Sequence, residues 1–109
     1  MSRNGRELLD EYRRQIDELD VRILALLNER TAVVEKIGLV KNALAMPVYE
    51  PRREDQVYRN VLDHNAGPLP AEAVKRLFER IIDEMRTLQH MRRMGSLETS
   101  DGGSPDAVE

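Results

Sequence analysis

Arg30 interrupts a hydrophobic row that is otherwise continuous. Leu9, Tyr12, Ile16, Leu19, Ile23, Leu26, Arg30, Val33, Ile37, Val40 and Leu44 follow one another in steps of three and four, the contact period of one helix face. Ten of these eleven residues are apolar or aromatic. A permanently charged guanidinium in the remaining place would be buried against partner helices, which is costly unless an anion meets it. Two chemistries satisfy it: a structural ion pair with one of the chain's many acids, or a site for an anionic ligand.

Two further polar residues fall on faces that look buried. Lys41 follows Arg30 by eleven residues, about three helical turns, so the two cations share a face about 16 Å apart. Their long side chains could converge on one small ligand. Gln89 lies four residues after Met85 and seven after Ile82, at the edge of an apolar stripe. Taken singly, Lys41 reads as a solvated lysine near a helix end and Gln89 as a surface amide. Together with Arg30 they suggest a pocket of cations and amides. The chain has no Ser/His/Asp or Cys/His set, no glycine-rich phosphate loop and no metal-ligand spacing. His64 and His90 are isolated and expected to face solvent. An enzyme built on these residues would use no covalent intermediate and little proton transfer. It could still stabilise charge that develops in a transition state.

These side chains must be positioned by helices. From Arg6 to Ile37 there is neither Pro nor Gly, and Pro47 is the first strong stop. Gly38 costs a helix about 1 kcal/mol. A helix from Arg6 to Ala45 would be about 60 Å long, whereas a compact monomer of this size is only about 34 Å across. Half of the row would stand in water unless a second chain covered it. The expected architecture is therefore an all-α, three-helix chain with one very long N-terminal helix, intertwined as a homodimer. The alternative is a hairpin broken near Asn28.

A polar start, residues 1–5, places Asn4 and Glu7 at capping-box spacing. Residues 45–50 form a connector, because Pro47 stops a helix and pushes Met46 to extended geometry. Pro51 suits the first turn of helix 2, which carries Val57, Tyr58, Val61 and Leu62. Residues 64–70 form a second connector, with Gly67 placed to end helix 2. Helix 3 opens at Pro70, carries Val74, Leu77, Phe78, Ile81, Ile82, Met85 and Leu88 on one face, and fades near Met94. The helical domain is thus 6–94, and residues 95–109 read as a disordered tail.

Composition agrees with this plan. Aromatic residues are 4% and charged residues 34% of the chain, and period-two β-branched runs are absent, which suits an all-α domain. The net charge of −3 argues against a nucleic-acid surface. Without cysteine there are no disulfides or thiolate metal sites. The first twenty residues hold four Arg and six acids, which is not a secretory signal, and no stretch approaches a membrane span. The expectation is a cytoplasmic protein.

The residues just described resemble the all-α chorismate mutases over nearly all of 6–92. Helix 1 carries the blocks from Leu9 to Asp20, Ile23 to Arg30 and Ile37 to Lys41. The connector Pro47-Val-Tyr-Glu-Pro-Arg-Arg-Glu54 and the helix 3 segments Leu77 to Ile82 and Leu88-Gln89 follow in the same order and at similar separations. The resemblance implies a dimer of three-helix chains that rearranges chorismate to prephenate without a cofactor, on the route to phenylalanine and tyrosine. A C–O bond breaks as a C–C bond forms, and negative charge grows on the ether oxygen. Such a site selects the compact conformer of a dianion and supplies preorganised donors.

Position by position, the resemblance implies that Arg30 binds one substrate carboxylate and that Arg13, from the other protomer, binds the second. Geometry supports the division independently: Arg13 and Arg30 lie about 25 Å apart along one helix and about 100° around it, too far to grip one small ligand. Lys41 and Gln89 match the donors to the ether oxygen. Glu54 matches the acid that holds the ring hydroxyl, Arg53 an arginine lining the pocket, and Glu50 an acid near that hydroxyl where Asp is also common. Met85 departs from members that place a carboxylate-binding serine there, since a thioether cannot donate. The tail lies outside the resemblance. Two other functions are compatible: isochorismate pyruvate-lyase activity on the same fold, which the acid-rich connector disfavours, and a weakly catalytic module that binds chorismate or prephenate and regulates another shikimate-pathway enzyme. A fused catalytic partner is not expected in a chain of this length; a non-covalent one is compatible with it.

Overall fold

A computed structural model describes residues 4–102, with side chains through residue 95. It contains three helices, α1 (Gly5–Ala43), α2 (Pro51–His64) and α3 (Ala71–Gly102), and no strand among the described residues. The chain divides into two compact units, Met1–Val33 and Val34–Glu109. Among the described residues, no helix is long and apolar enough to cross a membrane.

The first unit is the N-terminal stretch of α1. Asn4 caps it: its Oδ1 accepts the Glu7 amide at 2.8 Å, satisfying one of the donors a helix start leaves unpaired. No described residue of this unit is buried in the single chain, and Glu11, Leu27, Arg30 and Thr31 are half-buried. The apolar row is open, with Tyr12 57% and Leu26 64% exposed.

The second unit holds the end of α1, the connector, α2 and α3. α1 stops in a Schellman arrangement. The Met46 amide returns to the Lys41 carbonyl at 2.8 Å and the Ala45 amide to Asn42 at 3.2 Å, with Ala45 at φ 55°. The helix thus ends at Ala43, two residues before the sequence expectation. Glu50 occupies the N-cap of α2 without a side-chain capping bond, and Pro51 follows it in the first turn. α2 ends at His64 rather than nearer Gly67, and Asn65, its C-cap, then orders the turn. Its Oδ1 accepts the Gly67 amide and its Nδ2 donates to the Leu69 carbonyl. Gly67 has φ 80°, which only glycine adopts without strain. The Pro70 carbonyl accepts from Ala73 and Val74, so α3 opens one residue later than expected.

α2 packs on α3. Val57, Tyr58, Val61 and Leu62 of α2 and Ala73, Phe78, Ile81 and Met85 of α3 are half-buried. Val48, Val74 and Ile82 are the buried apolar residues among those described. The sequence reading of the C-terminus needs correction, because α3 does not fade near Met94. It continues to Gly102, so the boundary expected at residue 95 falls inside a helix. The rest of the expected tail, 103–109, lies outside the described residues.

Candidate active site

Among the described residues Lys41 is the buried cation, only 8% exposed. It lies in the last turn of α1, where the chain reverses into the connector. Its Nζ donates to the Val48 carbonyl at 2.9 Å and meets the Glu50 carboxylate at 2.7 Å. One side chain thereby binds the connector's backbone and fixes the acid that precedes α2. It also explains why Glu50 contributes no capping bond: its carboxylate is committed to Lys41. The reading of Lys41 as a solvated lysine therefore fails.

Glu54 is held one turn into α2. Arg86 of α3 donates to its Oε2 from Nη2 at 2.6 Å and from Nε at 3.1 Å. The Arg86 guanidinium also lies over the Tyr49 ring, 5.0 Å from its centre, and 3.5 Å from Asp83. The bonds to Glu54 push the pKa of Arg86 up, against desolvation, as expected where the charged form is hydrogen-bonded. Nearby, the Tyr58 hydroxyl is raised above its ordinary value, first by burial and then by the carboxylates of Glu54, Glu79 and Asp83, with Arg86 opposing.

Gln89 is half-buried. Its Nε2 donates to the Val34 carbonyl at 3.2 Å, leaving the second amide hydrogen for another acceptor. Gly38 lies beneath it, where an added Cβ would stand 3.6 Å from the Gln89 Cγ. Gln89 borders an open groove that Arg92 and Arg93 also line. Arg93 donates to the Met46 carbonyl at 2.8 Å, a further tie between α3 and the connector, and Arg92 pairs with Glu35 at 2.8 Å.

The expected site residues divide accordingly. Lys41 and Glu50 are joined directly, while Glu54 and Gln89 are each fixed by another partner. Arg53 is exposed, with a 3.4 Å contact from Nη1 to Gln56. Arg13 is exposed and Arg30 half-buried on α1 in the first unit. Met85 is half-buried, and both histidines are exposed, as expected. Sequence reasoning missed Arg86. A signal was present: Val74, Phe78, Ile82 and Arg86 step by four, so a cation continues a buried row, the same irregularity that singles out Arg30.

The match to known proteins follows these elements. The family model for chorismate mutase type II matches residues 12–90. The chain belongs to the chorismate mutase type II family. The bifunctional chorismate mutase/prephenate dehydratase of Neisseria gonorrhoeae is 46% identical over 84 residues, covering 77% of this chain and 23% of that protein. The chain thus spans about a quarter of the length of this relative. A chorismate mutase of Methanocaldococcus jannaschii is 31% identical over 91 residues, and the match covers 85% of it. Among solved structures, a chorismate mutase from Thermus thermophilus superposes with a TM-score of 0.74 at 32% identity, covering 75% of this chain and 93% of that one. For this chorismate mutase family member, the matched span contains all seven expected site residues, from Arg13 to Gln89.

Proposed function

We propose that this chain is a chorismate mutase that converts chorismate to prephenate by conformer selection and electrostatic stabilisation. The observation that carries the reading is the family match across 12–90, which takes in every cation and amide assigned to the site. In the proposed mechanism, Arg30 and a partner protomer's Arg13 bind the two substrate carboxylates and hold the compact conformer. Lys41 and Gln89 donate to the ether oxygen as its negative charge grows. Both donors are already fixed, Lys41 by Glu50 and the Val48 carbonyl and Gln89 by Val34, so little reorganisation is needed at the moment of reaction. Glu54 and Glu50 lie toward the ring hydroxyl, and Arg53 lines the pocket.

The functional unit is a homodimer. Tyr12, Ile16, Ile23, Leu26, Val33, Val40 and Leu44 are all more than half exposed in the single chain, and large exposed apolar surfaces mark association sites. A second copy supplies both the cover and the second arginine. The cytoplasm is the compartment we assign, and a non-covalent partner from the same pathway is in keeping with the fused relatives.

The test is to mix purified protein with chorismate and identify the product. Prephenate formation at a rate far above the uncatalysed one is the expected outcome. Release of pyruvate from isochorismate would point instead to the lyase, and binding without turnover to a regulatory module.

A further inference from the structure

Both bonds from Arg86 fall on one oxygen of Glu54, and this asymmetry has a chemical consequence. The Nε and Nη2 donors converge on Oε2 at 3.1 and 2.6 Å. No described group donates to Oε1. The carboxylate is only 19% exposed and Arg86 30%, so the pair is partly withdrawn from water, where a charged hydrogen bond also fixes orientation. Arg86 is itself held over the Tyr49 ring and beside Asp83. The ring comes from the connector, the carboxylate from the first turn of α2, and the arginine from α3. One side chain therefore sets the position of Glu54 relative to the connector that Lys41 grips.

We propose that Arg86 is a positioning residue that orients Glu54 so that Oε1 accepts the hydrogen bond from the substrate's ring hydroxyl. This rests on the chorismate mutase reading. It also resolves a problem of charge. Glu50 and Glu54 would repel a dianionic substrate if both were unpaired, whereas Lys41 pairs with the first and Arg86 with the second. Each acid retains its acceptor capacity while its charge is balanced by a cation from outside α2. A lysine could balance the charge of Glu54 but could not reproduce the two-point grip of a planar guanidinium.

The experiment compares wild type, Arg86→Met and Arg86→Lys on two substrates, chorismate and a chorismate analogue lacking the ring hydroxyl. A misplaced binding group can cost up to about a hundredfold. We expect Arg86→Met to lose between about tenfold and about a hundredfold in kcat/KM on chorismate and clearly less on the analogue, which feels the unbalanced charge of Glu54 but loses no oriented hydrogen bond. Arg86→Lys should fall between the two on chorismate. Adding Arg86→Met to Glu54→Gln should produce little further loss, because the group being oriented is already changed. Equal chorismate turnover by wild type and Arg86→Met would overturn the inference, as would an equal loss on both substrates, which a purely structural role produces. If Arg86→Met does not fold, Arg86→Lys decides the same comparison. A wild-type protein inactive on chorismate would overturn the functional reading and the inference with it. An active wild type with a failed comparison overturns the inference alone.

Discussion

Gln89 shows how one neutral side chain constrains both structure and chemistry. Its amide donates to the Val34 carbonyl, and its remaining hydrogen is assigned to the ether oxygen. An amide is neutral at every working pH, so wild-type turnover needs no acidic conditions for this group. Gln89→Glu changes both interactions. An ionised carboxylate cannot donate; it would oppose the Val34 carbonyl and repel the charge growing on the ether oxygen. We expect this variant to be poor at neutral pH and to recover as pH falls and the carboxyl protonates. Burial and the Val34 carbonyl favour the protonated form, while Arg92 and Arg93 at the same groove favour the charged one. The measurement is turnover per site against pH, with helix content followed by circular dichroism. A profile parallel to wild type would show that this amide does not face the breaking bond. The sequence made Gln89 and Lys41 visible mainly through the spacing of the family blocks, because each alone resembles an ordinary surface residue. It made Arg86 visible only as a cation at step four in an apolar row, a pattern whose meaning depends on Glu54, thirty-two residues away.

At the scale of the elements, helix existence was legible and helix ends were not. The long uninterrupted run predicted α1, and the i, i+3 and i+4 apolar stripes predicted α2 and α3. Pro47 excludes the helix from its own position but does not say where the helix stops. The stop comes from Ala45 in the left-handed region, a conformation no sequence rule assigns to alanine. At the other end, Gly95 and the polar residues after it suggested a tail, yet a single glycine costs a helix only about 1 kcal/mol, and the first proline after it is Pro105. Ala45 gives the prediction at this scale. A non-glycine residue in the left-handed region costs roughly 1–2 kcal/mol, and glycine returns part of that gain as unfolded-state entropy. Ala45→Gly should therefore stabilise the protein by about 0.5–1 kcal/mol, because the Schellman bonds from Met46 and Ala45 are backbone bonds and survive the change. Denaturant unfolding with an unchanged slope and a raised midpoint would bear this out. A lowered midpoint would mean that the Ala45 methyl group makes a contact worth more than the strain.

The whole molecule must account for a small core beside a large apolar face. Val48, Val74 and Ile82 are the buried apolar side chains among the described residues, while the α1 row from Leu9 to Leu44 is open apart from half-buried Arg30. So little buried surface is marginal for a domain of this size, and association would both enlarge the core and cover the row. The arginines make the same demand chemically: Arg13 and Arg30, seventeen residues apart on one helix, are separated by about 25 Å and cannot serve one small dianion from the same chain. Complementation tests both arguments together. Arg13→Ala and Arg30→Ala should each nearly abolish turnover as homodimers, since every site then lacks one carboxylate-binding group. Mixed in equal amounts under conditions of subunit exchange, half of the dimers are heterodimers with one intact site of two. Turnover should then recover to about a quarter of the wild-type value. Dilution should weaken activity and folding in parallel, because stability is linked to protomer concentration. Exchange demonstrated by differently labelled subunits without any recovery would exclude a shared site. A compact, active monomer in sedimentation would exclude the dimer itself.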